Sequence, residues 1–470
     1  MRLTVSHSPG LRSVVSLVLV GWFVGTTRVF AEQPTPNLAA GKAAYGQSCA
    51  RCHGATGHGD GLDAKRFYPR PRDLTLGKYK FRSTASGSPP RDDDLFRTIT
   101  NGLPGSNMPD WKHLDEATRW QLVYYLKSLS PVFQTKSEPV KVVPDPGLAH
   151  VDLVKGRALY EQMGCGACHG SHGRANGSSA AGLVDEWGMK IRPANLTKGW
   201  TYRGGSDARS VMLRLLAGID GSGMPSYAEA ISPEDAWQLA YYVTSLQEPP
   251  RWNLIAHAAV IESALPTTVD DPRWQAAERT DVRVRNVVTP GGEWASPPTV
   301  SSVSFQVLHN DQAVAFRLVW DDPSPTQQGS PDGIALFLRP PGSQGDIVSL
   351  QVWPSVGAPP LDVCYWSSER AQMIERVATD YESVTKIKAS QGLLQSASHY
   401  EDGRWTVMFQ RPLQPGDVPF ASTITLGEFT PIAFAIWDGS NPEARAVSPW
   451  VDVVLHKGPQ TRSIREGHQH

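Results

Sequence analysis

The spacing of apolar residues along the 470-residue chain changes character along its length. An apolar run from Val14 to Val24 follows Arg2 and Arg12 and ends near Val29-Phe30-Ala31. From Leu38 to Gln47, alanines and Tyr45 recur at helical spacing. From Asp115 to Leu129, Trp120, Val123, Tyr124 and Leu126 to Leu129 make an amphipathic stripe, so both stretches are predicted helices. The pattern then restarts. Lys155 to Gln162 repeats the first helix, and Trp237 to Tyr242 repeats Trp120 to Tyr125 almost residue for residue. Between the copies, Pro139 to Pro146 sets prolines among valines and charges and predicts an extended linker.

After Trp252 the period falls to two. Strands are predicted at Val282 to Val288, Val300 to Leu308, Ala313 to Trp320, Gly333 to Leu338, Ile347 to Trp353, Leu361 to Trp366, Trp405 to Gln410, Ile432 to Trp437 and Val451 to Leu455. Turn signals such as Asn310-Asp311, Asp321-Asp322, Pro340-Pro341-Gly342, Asp402-Gly403 and Asp438-Gly439 separate them, and Ala371 to Ser390 is predicted as a helix. The expected fold is multidomain. Two all-α domains at 36–135 and 150–247 are joined by a linker at 136–149, and an all-β antiparallel sandwich follows at 250–460. Residues 1–31 have the order of a secretory signal peptide cut after Ala31, which predicts a periplasmic protein; the apolar core is short for a span of about 20 residues. If retained, the run would act as an anchor. No later stretch is long or apolar enough to span a bilayer.

Composition adds little until the cysteines are placed. A formal net charge of −1 gives no reason to expect nucleic acid or an acidic membrane surface as partner. Of five cysteines, four fall in Cys49-Ala50-Arg51-Cys52-His53 and Cys165-Gly166-Ala167-Cys168-His169. C-x-x-C-H is the attachment pattern of c-type haem, in which two thiols bond the porphyrin and the adjoining imidazole takes the iron. A zinc or redox dithiol site is the rival for a single copy, and repetition in similar surroundings disfavours it. Cys364 is left alone, so it is read as a small hydrophobe and no internal disulfide is expected.

The second axial ligand is predicted from spacing. Met108 stands 59 residues after Cys49 (108 − 49) and Met224 stands 59 after Cys165 (224 − 165), each in a loop and each followed by proline. Equal offsets in two divergent copies favour ligation over packing, so His53 with Met108 and His169 with Met224 are the predicted iron ligands. Irons with two protein ligands leave no open position for substrate, which argues for electron transfer and against peroxidase or oxygen chemistry. Arg72, Lys80 and Arg82 are read either as a solvated basic face or as partners of haem propionates. His58, His113, His150 and His172 have no counterpart in the other copy and are read as solvated or propionate-contacting.

Helix, haem motif, loop methionine and closing helix together resemble a class I cytochrome c, in both copies. Pro71-Arg72-Asp73-Leu74-Thr75, echoed by Asn195-Leu196-Thr197, and Tyr79-Lys80-Phe81-Arg82 are similar to stretches of such domains in bacterial respiratory complexes. In the last domain, Leu361-Asp362-Val363-Cys364-Tyr365-Trp366, Asp402 to Val407, Arg411-Pro412-Leu413, Ala433 to Gly439 and Ser448-Pro449-Trp450 resemble the haem-binding gamma subunit of ethylbenzene dehydrogenase. That family serves periplasmic molybdenum enzymes, dimethyl sulfide dehydrogenase among them, and similar domains accompany nitrite oxidoreductases. The resemblance implies haem b held between a Met and a Lys. This sequence has Pro354 to Gly357 where the Met is expected and Arg445 where the Lys is, and Arg is a poor iron ligand. Met408, His309 and His399 remain as candidates for such a site.

Together these readings predict a dihaem c-type cytochrome acting as electron-transfer subunit or dedicated carrier, rather than catalytic chain, of a molybdopterin oxidoreductase. Its partners would be molybdopterin and iron–sulfur subunits and a respiratory-chain donor or acceptor. Two alternatives stand beside it. One is a self-contained dihaem oxidoreductase. The other is a cytochrome whose sandwich binds small molecules or carbohydrate through Trp353, Trp366 and Trp437.

Overall fold

Four helices build the first haem-motif region: α1 (Leu38–Ser48), α2 (Ala50–His53), α3 (Asp92–Asn101) and α4 (Glu116–Ser128). The second repeats them as α5 (Leu153–Gln162), α6 (Gly166–His169), α7 (Ala208–Ala217) and α8 (Pro233–Ser245). Local chemistry sets where they begin. Asn37 caps α1, Asp115 caps α4 and Asp152 caps α5, each side chain accepting from a first-turn amide; Ser232 does the same for α8, with Pro233 at the first helical position. In the computed structural model the described residues are 33–288, 294, 297–326, 330–339, 360–378, 384–386, 394–418, 421–442 and 444–458. The expected signal peptide and the expected strand Ile347 to Trp353 lie outside them.

Each lead-in helix crosses its closing helix at a glycine. A Cβ at Gly41 would collide with the Gln121 carbonyl of α4, and one at Gly156 with the Gln238 carbonyl of α8. The same glutamines accept from the backbone just ahead of each lead-in helix, Gln121 from the Asn37 amide and Gln238 from the Asp152 amide. Beside each crossing a tyrosine pair packs, Tyr45 on Tyr125 and Tyr160 on Tyr242, with centroids 5.2 and 5.5 Å apart. The segment expected as a linker is strapped down. Val140 is buried and its amide donates to Ser83 O, Trp237 Nε1 donates to Val143 O, and Tyr241 donates to Asp145.

The C-terminal region contains, among the described residues, fourteen strands. They are β1 (Ile255–Val260), β2 (Thr280–Arg283), β3 (Arg285–Val288), β4 (Ser302–His309), β5 (Ala313–Asp321), β6 (Gly333–Leu338) and β7 (Leu361–Ser367), then β8 (Met373–Ala378), β9 (Val384–Lys386), β10 (Gln395–Glu401), β11 (Arg404–Pro412), β12 (Phe429–Trp437), β13 (Ala444–Val447) and β14 (Val451–Leu455). They run in the order β10-β11-β5-β4-β1-β14-β12-β6-β7-β8-β9, with β2 on β4 and β13 between β12 and β3. The result is an all-β, nearly closed sandwich. Aromatic side chains fill its interior, including Trp320, Trp366, Trp405, Phe305, Phe316, Phe409 and Phe434.

Two expectations need correction. The sandwich is mixed rather than antiparallel throughout, because β1 pairs in parallel with β14 over Ile255 to Ala258 and with β4 over Ala259 and Val260. The described residues of the stretch Ala371 to Ser390 form no helix; β8 and β9 take up Met373 to Ala378 and Val384 to Lys386. Met373, Glu375 and Val377 are buried while Ile374 and Arg376 are partly exposed, a period of two imposed by pairing with β7.

Candidate haem sites

Each C-x-x-C-H motif occupies a single helical turn, α2 or α6, ended by a glycine in left-handed backbone, Gly54 (φ 83°) or Gly170 (φ 80°). A buried tyrosine fixes that glycine: Tyr45 OH donates to Gly54 O at 2.8 Å and Tyr160 OH to Gly170 O at 2.6 Å. The histidine is oriented from the far side of the fold. His53 Nδ1 lies 3.0 Å from Arg72 O, and His169 Nδ1 lies 2.9 Å from Ala194 O. A carbonyl can only accept, so Nδ1 carries the proton and Nε2 is left with a lone pair, the form that binds a metal. Burial lowers the pKa of both imidazoles and keeps them neutral, although the carbonyl bond works against it.

The repeated Asp/Asn-Leu-Thr segments hold those carbonyls in place. Asp73 Oδ1 accepts from the amide and hydroxyl of Thr75, and Asn195 Oδ1 accepts from those of Thr197. Leu74 and Leu196 donate to Gly57 O and Gly173 O, which closes each loop back on its haem motif.

The methionine loops are copies too. Leu103 N donates to Met108 O and Ile219 N to Met224 O, both at 3.0 Å. Met108 N is held by Ser106 Oγ and Met224 N by Ser222 Oγ, at 3.2 and 3.3 Å. Three residues on, Trp111 N donates to Ile99 O and Tyr227 N to Leu215 O. The shared offset therefore reflects a shared loop.

Cys165, Cys168, His169 and Met224 line one cavity of about 1590 Å³, while the first set does not line it. Met189 is also on its wall. Lys80, Arg192, Arg203 and Arg214 give the wall a basic lining suited to the two carboxylates of a porphyrin. Burial, with Arg72 and Arg203 nearby, pushes Lys80 down to about 8, and burial lowers Arg214 to about 10. Two thiols, a neutral imidazole and a soft thioether around an apolar-and-basic crevice fit haem c. Burial pushes the Cys49 thiol up to about 12 and Cys165 up to about 11.

The basic residues picked from sequence divide. Arg72 stacks on Trp187, 4.4 Å from the ring centre, and lies 3.6 Å from Glu186. Lys80 lines the cavity. Arg82 is neither solvated nor a cavity residue; it is buried and bonds Asp220 at 2.7 Å and Ala217 O at 2.9 Å. His172 pairs with Asp402, and His58 lies near Asp73 and Thr75. Sequence reading missed Tyr45, Tyr160 and the two orienting carbonyls, although the tyrosines recur at matching places in the two lead-in helices.

In the sandwich, Met408 is core and His399 sits half-exposed near Glu401. His309 is buried with Nδ1 3.2 Å from Asn310 O. Cys364 is fully buried, as read, and its thiol is pushed upward by burial. Trp366 is wholly buried and offers no sugar platform, Trp437 packs edge-on against Tyr365, and Trp353 lies outside the described residues. No described helix is long and apolar enough to cross a membrane.

Comparison with known proteins matches residues 36–126 to the family of cytochrome c oxidase, cbb3-type, subunit III, and residues 153–247 to the cytochrome c family. Residues 383–446 match the ethylbenzene dehydrogenase family. A protein of Haloferax mediterranei that bears the name of a respiratory nitrate reductase heme subunit is 24% identical over 222 residues, 44% of this chain and 75% of its own length. The cbb3-type cytochrome c oxidase subunit CcoP of Azospirillum sp. is 26% identical over 219 residues, 44% of this chain and 62% of its own. Among solved structures, a chain of the Kuenenia stuttgartiensis reducing HAO-like protein complex Kustc0457/Kustc0458 is 40% identical, with 46% of this chain and 100% of that one covered and a TM-score of 0.43.

Proposed function

We propose that this chain, which carries two cytochrome c domains with covalently bound haem c and an ethylbenzene-dehydrogenase-type segment, is the electron-transfer subunit of an exported respiratory molybdenum complex. Cys49 and Cys52, and Cys165 and Cys168, hold the porphyrins; His53 with Met108 and His169 with Met224 hold the irons. When bound, each haem supplies an iron that takes up and gives back one electron. The chain's own part is positional. Arg72 O and Ala194 O fix the imidazole tautomer, Ser106 and Ser222 shape the methionine loops, and no side chain has to move a proton.

One observation carries the reading. Gly105, Ser106 and Asn107, directly ahead of Met108, line the same cavity as His169 and Met224, and Gly105 packs against Thr201 of the second domain. The ligand loop of one site thus forms part of the wall of the other, the contact that a relay between two irons needs. The name borne by the Haloferax relative, a respiratory nitrate reductase heme subunit, supports a place in a respiratory redox complex, and the signal-like leader supports export to the periplasm.

The test is affinity purification of the tagged full-length chain from its host, with metal analysis and addition of candidate oxyanion or hydrocarbon substrates. Co-purification of molybdenum and iron–sulfur subunits, with both haems reduced or oxidised on adding one substrate, is expected. A lone chain with no molybdenum, whose haems bind cyanide readily, would favour a self-contained oxidoreductase.

A further inference from the structure

Away from the haem sites, three carboxylates from separate loops converge in the sandwich: Asp322 just after β5, Asp332 just before β6 and Asp438 just after β12. One oxygen of each lies within 4.8 Å of the others, and all three residues are buried. Asp332 accepts from Thr326 N at 2.6 Å, Gly439 N at 2.8 Å and Trp405 Nε1 at 3.2 Å. Asp438 accepts from Thr299 Oγ1 and Ser440 N at 2.6 and 2.9 Å. Asp322 differs. Its Oδ1 takes Ser324 N at 3.0 Å, but Oδ2 has no partner although the residue is wholly buried.

Among the described residues no cation forms an ion pair with the three. Lys198 and Arg404 pair instead with Asp321, and Arg192 bonds the hydroxyls of Ser324 and Ser440. Three carboxylates crowded in a buried site cannot all carry their charge without a cation beside them, and Asp322 Oδ2 has no hydrogen-bond donor to serve instead. The donor set is all oxygen, with neither nitrogen nor sulfur, which selects a hard divalent cation.

We propose that Asp322, Asp332 and Asp438 bind one calcium ion that ties the ends of β5, β6 and β12 together beneath the second cytochrome domain. Calcium suits the irregular, carboxylate-rich surroundings better than magnesium, which demands a tight octahedron and keeps its waters. The site has a structural consequence. Ser324 and Ser440, whose amides hold Asp322 and Asp438, are the residues that Arg192 grips, and Arg192 stands two residues before Ala194, whose carbonyl orients His169. The ion would steady the surface on which the His169-orienting segment rests.

The experiment uses the full-length holoprotein. Calcium and iron per chain are counted by inductively coupled plasma mass spectrometry, then calcium or magnesium is titrated calorimetrically into EGTA-treated protein, with thermal midpoints recorded. One calcium per chain is expected, with a higher midpoint when it is bound and binding at least about tenfold weaker for magnesium. Asp322→Asn keeps the shape of the orphaned group and should abolish the calcium response while leaving the EGTA-treated midpoint unchanged or raised. Asp438→Asn should do the same and serves if the first variant fails to fold. No calcium retained or taken up, with midpoints indifferent to EGTA, would overturn the proposal, as would equal binding of magnesium.

Discussion

The two cytochrome domains use one frame and differ in what surrounds it. Tyrosine to glycine, carbonyl to imidazole and serine to methionine loop are the same bonds in both. In the first domain the segment that orients His53 also carries Arg72, which reaches Glu186 and Trp187 of the second. In the second domain the segment that orients His169 carries Arg192 and Asn195, which reach Ser324, Ser440 and Asp321 of the sandwich. Each ligand-orienting segment is thus also a docking surface for the next domain along the chain. The environment of each haem is therefore coupled to how the domains sit together.

The joints themselves are built differently. Arg82, buried, joins the first two domains through Asp220, which also accepts from Ser86 and Gly87. The sandwich is held by a broader network, Arg174, Asn176 and His172 on the partly exposed Asp402, and Lys198 on the buried Asp321, which Arg404 of the sandwich also holds. This contrast sets the order of the expected effects.

The largest effect should come from the ligand loops. Met108→Ala and Met224→Ala should each lower the reduction potential of one haem only and let cyanide bind there, read by spectroscopic redox titration. Both potentials moving together in either variant would break the assignment. Next, Arg82→Ala removes one partner of a buried pair and should cost on the order of 3–5 kcal/mol, seen as a lower denaturant midpoint. A loss below about 1 kcal/mol would place this joint with the exposed pairs.

The smallest effect is a pH dependence at the second joint. Burial alone would raise the Asp321 carboxyl, but Lys198 and Arg404 outweigh it and hold it below its ordinary value. Because the folded pKa is depressed, the stabilisation is complete above the unfolded value of about 3.9 and is lost as pH falls through the lower folded one. Asp321→Asn should therefore lower the thermal midpoint at neutral pH and flatten its acid fall. An unchanged acid limb would show that Asp321 is not the group responsible.

The haem sites were legible in sequence because covalent chemistry restricts residue type and spacing, so Cys49 to His53, Met108 and their copies could be read directly. Arg72 O and Ala194 O were not, since a backbone carbonyl carries no residue identity; only the Asp/Asn-Leu-Thr echo marked the place. In the sandwich, buried strands such as β6 and β14 were plain from their apolar residues. β10 was missed because it is an exposed, polar edge strand, and β1 because three of its six residues are alanine. Met373 to Ala378 mixes charges with apolar residues in a way that suits a helix as well as a strand, and pairing with β7 decided it. Alternation also says nothing of strand direction, so the parallel pairing of β1 was invisible. Asp322 and Asp438 were read only as turn residues and Asp332 was not singled out, because the three come from separate loops.

The proposed function requires that the two haems exchange electrons within one molecule. Stopped-flow mixing of oxidised holoprotein with one electron equivalent of reductant tests it, run on the Met224→Ala variant, whose altered ligation separates the spectra of the two haems. First-order redistribution between the haems is expected, at a rate independent of protein concentration. Redistribution that is second order in protein, with each haem reduced independently at first, would contradict it.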